Sequence, residues 1–403
     1  MFDRRPAALL VVSGRAGESF ARLNALEGIA RSLLMGVIPL LALEALGSKE
    51  LVTRAYLFAS ILTLAITLNF AALERLLQRR WVVTLGAGCT LAAMLILLFG
   101  DGMVMALGIG LQQASASLFS VCLSLYIMDY IGKKDLIYTE TRRMLYAGMV
   151  WMVGPTLGLW LWEDVAGWAP FVLSLGGAAA MLSYFWYLRL GHGQGIQKAK
   201  SHSVNIFRII PRYFGQRALR ISYWIAMSRA IFWMSLFIYG PIYVVEAGLP
   251  TWVAGGLLSL ASALLLVSPL IRRLASRSGT RRIIVSALML SGMSMAMLYL
   301  LGEARPVGLL FWIGGALGGV TLDVLGNIPF MRMVKPRERT EMTMIFSTWR
   351  EGSQLLTPLL VSTMLLFAPF ETYYLLLALL LLGAGATATF LPAPVIQPGF
   401  AGS

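Results

Sequence analysis

The sequence predicts an all-α integral membrane protein of about twelve transmembrane helices, arranged as two six-helix bundles in a pseudo-symmetric repeat. Three observations support this prediction: an apolar composition, apolar segments that recur along the whole chain, and landmarks that repeat between its halves. Of the 403 residues, 58% are hydrophobic and 13% are charged, and the mean hydropathy is +0.76. These values lie far outside the range of ordinary soluble domains.

Apolar segments long enough to cross about 30 Å of hydrocarbon recur from end to end. They predict helices rather than a barrel, because the sequence lacks the ten-residue alternation of hydrophobicity that barrel strands show. An open sheet is also excluded, because the backbone N–H and C=O groups at its edge would have no hydrogen-bond partners in lipid. The predicted spans are 20–46, 52–72, 81–100, 103–130, 141–162, 166–190, 217–245, 251–271, 282–302, 307–331, 341–367 and 371–392.

The distribution of basic residues predicts the orientation of the chain in the membrane. The sequence has 33 Lys and Arg against 19 Asp and Glu, a net charge of +14. Most of the basic residues fall in alternate connecting segments, which is the positive-inside pattern. The charge therefore indicates topology and contact with anionic lipid rather than nucleic-acid binding. We expect a multi-pass protein of a bacterial-type inner (plasma) membrane with both termini in the cytoplasm.

The two halves of the chain share a register. When residues 73–83 are placed over residues 275–285, the same register places Pro39 of the first span on Pro241 of the seventh. A parallel repeat of six spans is an architecture found in many secondary transporters. The sequence therefore predicts a pseudo-twofold relationship between the halves.

The repeat divides the chain into an N-terminal bundle, 1–190, and a C-terminal bundle, 217–403. Between them lies a predicted cytoplasmic loop, 191–216. The basic stretch 191–220 contains both histidines and no acidic residue, so it cannot lie in hydrocarbon. We interpret this stretch as the hinge between the bundles.

Motifs of soluble catalysis are absent from the sequence. No P-loop, no pair of Asp-rich metal boxes and no nucleophile elbow occurs, and the two histidines have no metal-ligand spacing. We therefore expect neither an enzyme nor an ATP-driven pump, with no cofactor and no resident metal.

Two loops carry a family resemblance. Residues 272–281, RRLASRSGTR, keep the Ala, Arg, Gly and final Arg of the pattern G-x-L-A-D-R-x-G-R-R, with Ser276 in place of Asp. Residues 73–80, LERLLQRR, form a more degenerate first copy. The chain thus resembles the major facilitator superfamily (MFS) over nearly its whole length, which implies the MFS fold.

The resemblance implies a cytoplasmic charge network that latches neighbouring helices in one state of a transport cycle. The alternative is plain positive-inside anchoring of these residues. The residues predicted for this gating network are Glu74, Arg75, Arg79, Asp129, Arg277 and Arg281.

Span five resembles the antiporter signature of the family, G-x-x-x-G-P-x-x-G-G, through Gly154, Pro155 and Gly158. The resemblance favours export, and the alternative is a packing kink of the kind that Gly and Pro give membrane helices. Many proton-coupled exporters of the family carry an arginine in span four, and the aligned residue here is Gly110. The resemblance therefore supplies no proton-relay arginine.

Polar residues collect on the spans that line the central cavity of the superfamily, and on span eleven. Ionisable groups in hydrocarbon are costly, so they tend to face a partner or an aqueous cavity. The predicted substrate and coupling-ion cavity comprises Asn24, Glu27, Arg31, Gln112, Gln113, Arg229, Asp323, Asn327, Arg350 and Gln354.

Glu27 and Arg31 are four residues apart, so they are predicted to form an ion pair on one helical face. The repeat register places Glu27 on Arg229, which suggests that Glu27 is shared between Arg31, Arg229 and a proton or cationic substrate. A static salt bridge between bundles is the alternative. Arg350 lies near the midplane and either holds a carboxylate or phosphate or joins Glu351 in a structural network.

We therefore expect a secondary active transporter that moves a small organic solute by alternating access, with export coupled to protons as the first choice. The first alternative is uptake of a small anion by symport, with Arg31, Arg229 and Arg350 as the anion cage. The second is a lipid-handling or lipid-sensing member of the same fold. The expected partners are a small-molecule substrate, protons and the lipid bilayer, and we expect a monomer.

Overall fold

The computed structural model describes residues 13–131, 136–188, 206–334 and 338–391, and the regular structure in these ranges is helical. We call 13–188 the first half and 206–391 the second half. The helices of the first half are α1 (Ser13–Ser32), α2 (Val37–Leu46), α3 (Lys49–Leu68), α4 (Phe70–Leu76), α5 (Arg79–Phe99), α6 (Val104–Tyr130), α7 (Leu136–Trp160, continued by a π-helical turn, Leu161–Val165) and α8 (Ala169–Tyr187).

The described residues of the second half begin with a short helix, and nine further helices follow it. They are α9 (Ile206–Gly215), α10 (Arg217–Glu246), α11 (Thr251–Ala263), α12 (Ser268–Ser278), α13 (Thr280–Leu301), α14 (Gly308–Leu325), α15 (Ile328–Met333), α16 (Arg339–Ser347), α17 (Trp349–Met364) and α18 (Thr372–Ala388). A 3₁₀ turn, Leu264–Val267, joins α11 to α12.

Ten helical segments of the described residues are long and apolar enough to cross a membrane, from Gly17–Leu46 to Gly308–Met333. They correspond to the first ten predicted spans. The eleventh predicted span is divided into α16 and α17 at Thr348, whose hydroxyl donates to the carbonyl of Ile345 at 2.7 Å. The twelfth is the shorter apolar helix α18. The predicted fold class, about twelve membrane helices, is confirmed.

The first span is broken in its middle, where α1 ends at Ser32 and α2 begins at Val37. Two glycines of α7 lie against this break. A Cβ atom added to Gly158 would lie 1.8 Å from the carbonyl oxygen of Leu33, and one added to Gly154 would lie 2.0 Å from Oγ of Ser32. The small residues of the antiporter-like signature thus let α7 approach the broken span at backbone distance.

Apolar packing between the halves is concentrated toward one end of the molecule. A single cluster of buried side chains includes Leu34, Tyr56 and Leu159 of the first half and Tyr239 and Leu258 of the second. The closest helix pairs across the boundary are α7 with α11 and α3 with α17. We call this end the closed end, and define it by residues 34–60, 155–163 and 239–259.

At the opposite end each half has a buried cluster of its own. The first-half cluster includes Phe20, Leu118 and Phe185, and the second-half cluster includes Tyr213 and Phe330. Many exposed arginines, among them those of α12, lie at this end, which we call the basic end. The halves thus pack together at the closed end and have separate cores at the basic end.

Part of the predicted central loop is a helix. The segment Ile206–Gly215 forms α9, an amphipathic helix, because its apolar residues fall on one face. Tyr213 is fully buried and its hydroxyl donates to the carbonyl of Leu219 at 3.1 Å. Arg212 pairs with Glu338. The helix therefore packs on the second half, and the predicted connecting segment 191–216 contains a helix at 206–215.

Candidate functional site

An ion pair lies within the first half, on α1. Nε of Arg31 is 3.3 Å from Oε1 of Glu27, which confirms the pairing that their four-residue spacing predicted. The Glu27 side chain is 12% exposed and that of Arg31 is 41% exposed. The guanidinium of Arg31 also lies 5.1 Å from the ring centre of Trp151 on α7. Arg31 therefore connects the acid on α1 to an aromatic side chain on α7.

A small cavity of about 30 Å³ adjoins Glu27 between α1, α5, α6 and α8. Its lining includes Arg31 and Gln112, together with the hydroxyls of Thr90 and Ser115, which are 2.6 Å apart. A polar cavity of this size has room for water. Glu27 therefore has a polar environment inside the first half, and its hydrogen-bonding partners need not come from the second.

The second half contains a more deeply buried ion pair. Arg229 of α10 is 4% exposed, and its Nε lies 3.3 Å from Oδ1 of Asp323 on α14. Its Nη1 donates to the carbonyl of Leu322 at 3.0 Å. The Asp323 side chain is 33% exposed. In this conformation Arg229 is therefore paired within its own half, and the suggested contact with Glu27 is not formed.

Trp349, at the start of α17, packs against two arginines. The guanidinium of Arg229 lies 4.9 Å from its ring centre and that of Arg350 lies 5.6 Å away. Arg350 is exposed, and among the described residues no carboxylate is within 4.0 Å of it. Glu351 does not neutralise it, because consecutive residues of a helix do not face each other. Arg350 is therefore a cation without a protein carboxylate in the described residues.

Aromatic side chains cross the boundary between the halves. Trp151 of α7 lies 5.8 Å from Phe237 of α10, and Phe237 stacks on Trp233 at 5.6 Å with an interplanar angle of 22°. All three are half-buried. We call Trp151, Phe237 and Trp233 the aromatic row. Trp233 is four residues after Arg229, so the row continues one helical face from the buried ion pair.

The other predicted cavity residues are half-buried. Oε1 of Gln113 and Oδ1 of Asn327 are buried and have no hydrogen-bond partner in the described part of the chain. The carbonyl of Gln354 accepts a hydrogen bond of 2.8 Å from Ser60 on α3, which places Gln354 at the boundary between the halves. Asn24, one turn before Glu27 on α1, is half-buried.

An arginine at position 110, where many proton-coupled exporters of the family carry one, would not fit in this structure. A Cβ atom added to Gly110 would lie 2.8 Å from Cδ2 of Leu62 and 3.2 Å from Cα of Ala59. Helices α3 and α6 thus pack too closely at Gly110 for a long side chain without rearrangement.

Two parts of the predicted gating network are visible. Glu74 and Arg79 form an ion pair at 2.8 Å, and the guanidinium of Arg79 lies 5.3 Å from the ring centre of Tyr126 on α6. In the second half, Arg281 donates to the carbonyl of Leu391 at 3.0 Å. Arg277 is exposed. The side chains of Arg75 and Asp129 lie outside the described residues.

Sequence reasoning missed a cluster that joins α1 to α7 at the basic end. Glu18 accepts a hydrogen bond of 2.7 Å from Arg22 and a second from Arg142, and Tyr146 lies 3.4 Å from the same carboxylate. The four-residue spacing of Glu18 and Arg22 was a signal for the first contact. The partnership with Arg142 has no local signal, because the two residues are distant in the sequence.

The fold is that of a multi-pass membrane protein. The protein-family model described as Major Facilitator Superfamily matches residues 23–358 of this chain. The chain belongs to this superfamily. A search of the curated proteins found no match.

Solved structures show the same fold over 93% of the chain. A peptide transporter POT in complex with sulfate superposes with a TM-score of 0.72 at 13% identity, covering 93% of this chain and 94% of that chain. The nucleoside transporter NupG gives 0.66 at 11% identity, with 93% and 98% covered. A bacterial metal transporter gives 0.64 at 16% identity, again with 93% and 98% covered. At these identities the likeness concerns the fold alone.

Proposed function

We propose that the protein is a secondary active transporter that exports a small organic solute in exchange for protons, by alternating access at a site between its halves. The observation that supports this most directly is the pair of carboxylates, one in each half, that are both matched to arginines and partly accessible. Glu27 pairs with Arg31, and Asp323 pairs with Arg229. A carboxylate held by an arginine can exchange that partner for a proton or a solute, which is the property that coupling needs.

The arrangement of the halves supports alternating access. The polar contacts across the boundary between described residues lie at the closed end, where Lys49 pairs with Glu246 at 2.8 Å and Thr156 donates to Ser259 at 2.8 Å. At the basic end the halves have separate buried clusters. By the positive-inside rule the basic end faces the cytoplasm. In this conformation the site would then be open to the cytoplasm, which is the side on which an exporter binds its solute.

The resemblance of α7 to the antiporter signature of the family supports the export direction. Gly154 and Gly158 pack against the break in the first span, and Pro155 lies against α11 of the second half. Helix α7 therefore contacts both the broken span and the other half. This is the position from which a movement of one half is transmitted to the site in the other.

The test is proton flux in proteoliposomes that contain the purified full-length protein and a pH-sensitive dye. The vesicles are challenged with organic cations, neutral compounds and organic anions. We expect at least one class to trigger proton movement, and we expect Glu27→Gln to abolish that movement because the amide cannot carry the proton. Glu303→Gln is the matched control, because Glu303 is an exposed carboxylate between α13 and α14.

Coupling to Glu27 is contradicted if a labelled solute equilibrates across the vesicle membrane with no proton movement, or if Glu27→Gln keeps full proton movement. Loss of flux in Glu303→Gln as well would assign the effect to general damage. Reversing the imposed pH gradient separates exchange from symport, because the solute then moves against the protons in the first case and with them in the second.

The second candidate is uptake of a small anion by proton symport. Arg350 favours it, since this exposed cation has no carboxylate partner among the described residues. Arg31 and Arg229, the other members of the predicted anion cage, are each paired with an acid. A member of the fold that serves only as a scaffold has less support, because a bundle without a solute would gain stability from apolar replacements at these charges.

A further inference from the structure

We infer that the solute carried at this site is a planar aromatic carboxylate, with its carboxylate on Arg350 and its ring against Trp349 and the aromatic row. This inference rests on the proposed function in one respect only, that the site between the halves is the solute site. It holds for either direction of transport. It adds to the proposed function the charge and the shape of the solute.

The balance of paired and unpaired charges determines the sign of the solute. Each of the two cavity acids, Glu27 and Asp323, already has an arginine within 3.3 Å. Arg350 is exposed and no described carboxylate pairs with it. At Glu27 and Asp323 an entering cation would therefore have to displace an arginine, whereas at Arg350 an anion finds a cation that no described carboxylate engages. The electrostatics around Arg350 thus favour an anion.

The position of Arg350 favours a carboxylate over a halide-like point charge. Its guanidinium lies against the ring of Trp349, whose other neighbour is the guanidinium of Arg229. Stacking on an aromatic face limits the orientations of the guanidinium plane, and a planar fork held in this way matches the two oxygens of a carboxylate. Arg229 already pairs with Asp323 and donates to the carbonyl of Leu322. The carboxylate of the solute would therefore bind Arg350.

The aromatic row determines the shape of the solute. Phe237 and Trp233 lie nearly parallel, at 22°, and Trp151 of the other half is 5.8 Å from Phe237. Flat side chains of this kind bury a flat ligand with little loss of side-chain entropy and add stacking energy to the apolar term. Trp233 and Arg229 share a face of α10, and Arg229 contacts the ring of Trp349. The aromatic row and Trp349 therefore lie along one path. An aromatic ring next to a carboxylate fits both parts of that path.

The first test is direct binding, measured by calorimetry on the full-length protein in nanodiscs. The probe is 2-naphthoate. Its comparators are decahydro-2-naphthoate, which keeps the charge and loses the aromatic ring, and 2-naphthylmethylammonium, which keeps the ring and reverses the charge. We expect the Kd of 2-naphthoate to be at least tenfold lower than that of either comparator.

Variants then assign the binding to the named residues. Arg350→Gln should raise the Kd for 2-naphthoate roughly tenfold to a hundredfold, as for loss of a charge-assisted hydrogen bond. Arg350→Lys should give an intermediate loss, because the charge stays and the planar fork is removed. Trp349→Leu should weaken 2-naphthoate more than decahydro-2-naphthoate. The matched controls are Arg282→Gln and Trp252→Leu, both exposed residues away from the site, and both should bind normally.

The inference is overturned if 2-naphthylmethylammonium binds at least as tightly as 2-naphthoate, or if Arg350→Gln elutes as a folded monodisperse protein with an unchanged Kd. It is also overturned if 2-naphthoate does not bind while other compounds in the flux panel still move protons, an outcome that leaves the proposed function intact. Conversely, tight binding of 2-naphthoate that depends on Arg350, in vesicles that show no proton movement, supports the inference and contradicts proton coupling.

Discussion

Lys49 of the first half and Glu246 of the second form an ion pair at 2.8 Å across the boundary between the halves. The ammonium group of Lys49 also lies 4.6 Å from the ring centre of Phe370. Both contacts hold the start of α3 against the second half at the closed end. Under the proposed alternating access, this pair is a charged latch on the end that would open during the cycle.

Lys49→Gln should increase opening at the closed end. A partly exposed ion pair contributes about 0.2 to 1 kcal/mol, so we expect a change of about 1.4-fold to fivefold. The measurement is labelling of Thr53→Cys by a membrane-impermeant maleimide, in a background with Cys89→Ser and Cys122→Ala. Thr53 is fully buried at the boundary, where its hydroxyl lies 3.1 Å from that of Tyr239. The exchanged pair Lys49→Glu with Glu246→Lys should return labelling toward the starting rate, and unchanged labelling in Lys49→Gln would rule out a latch.

Gly255→Ala should strongly impair transport, whereas Gly256→Ala should have little effect. A Cβ atom at position 255 would lie 2.7 Å from the carbonyl oxygen of Pro155 in the other half, and one at position 256 meets nothing within 4 Å. The first substitution forces α7 and α11 apart. We expect at least a tenfold loss of solute flux with increased labelling at the closed end. Similar flux in the two variants would show that the approach of these helices is not required.

Asp323→Asn should destabilise the protein. It leaves Arg229, which is 4% exposed, without its carboxylate. Removing one partner of a fully buried pair costs about 3 to 5 kcal/mol, and since Asp323 is partly exposed we expect about 1 to 3 kcal/mol. The measurement is the Tm in detergent, with Glu303→Gln as the surface control. The double variant Arg229→Met with Asp323→Leu should recover most of the Tm without recovering transport. A Tm that stays low in the double variant would argue that packing, not the unpaired charge, causes the loss.

Docking of α9 should persist up to about pH 10 and weaken above it. Burial raises the pKa of Tyr213 above its ordinary value of 10.0. The phenol in the undocked state ionises first, so the stabilisation by Tyr213 is complete below about pH 10 and is lost as the pH rises further. The mobility of a nitroxide on Gln216→Cys measures docking. In Tyr213→Phe the mobility should be higher at neutral pH, by the loss of one hydrogen bond, and should depend less on pH. An equally steep rise above pH 10 in both proteins would assign the effect to another group.

Features with a local cause could be predicted from the sequence. Hydropathy located the membrane helices, since crossing hydrocarbon requires an apolar run of fixed length. The ion pair of Glu27 and Arg31 followed from helical spacing. The glycines of α7 at 154 and 158 were recognised as packing residues, although the sequence did not show that they lie on a break in the first span.

Features that depend on packing between distant segments could not be predicted. The sequence offers several acidic residues as ion-pair partners for Arg229. Only the packing of α10 on α14 brings Asp323 into contact with it. The partnership of Glu18 with Arg142 has the same origin. The break at Thr348 in the eleventh span, and the helix at 206–215, lie where hydropathy is intermediate and tertiary contacts decide the backbone conformation. Side-chain contacts across the boundary are likewise a property of one conformation.

Hydroxyl groups supply much of the polar contact at the closed end, where Thr156 meets Ser259 and Thr53 meets Tyr239. When this end separates, each hydroxyl becomes accessible to water, and water can replace the lost partner. The exchange of such a bond for one to solvent changes the free energy by only about 0.5 to 1.5 kcal/mol. Under the proposed alternating access, polar contacts made of replaceable bonds add little to the free-energy difference between the two conformations. The binding energy of a solute would then have less to overcome in deciding which conformation is populated.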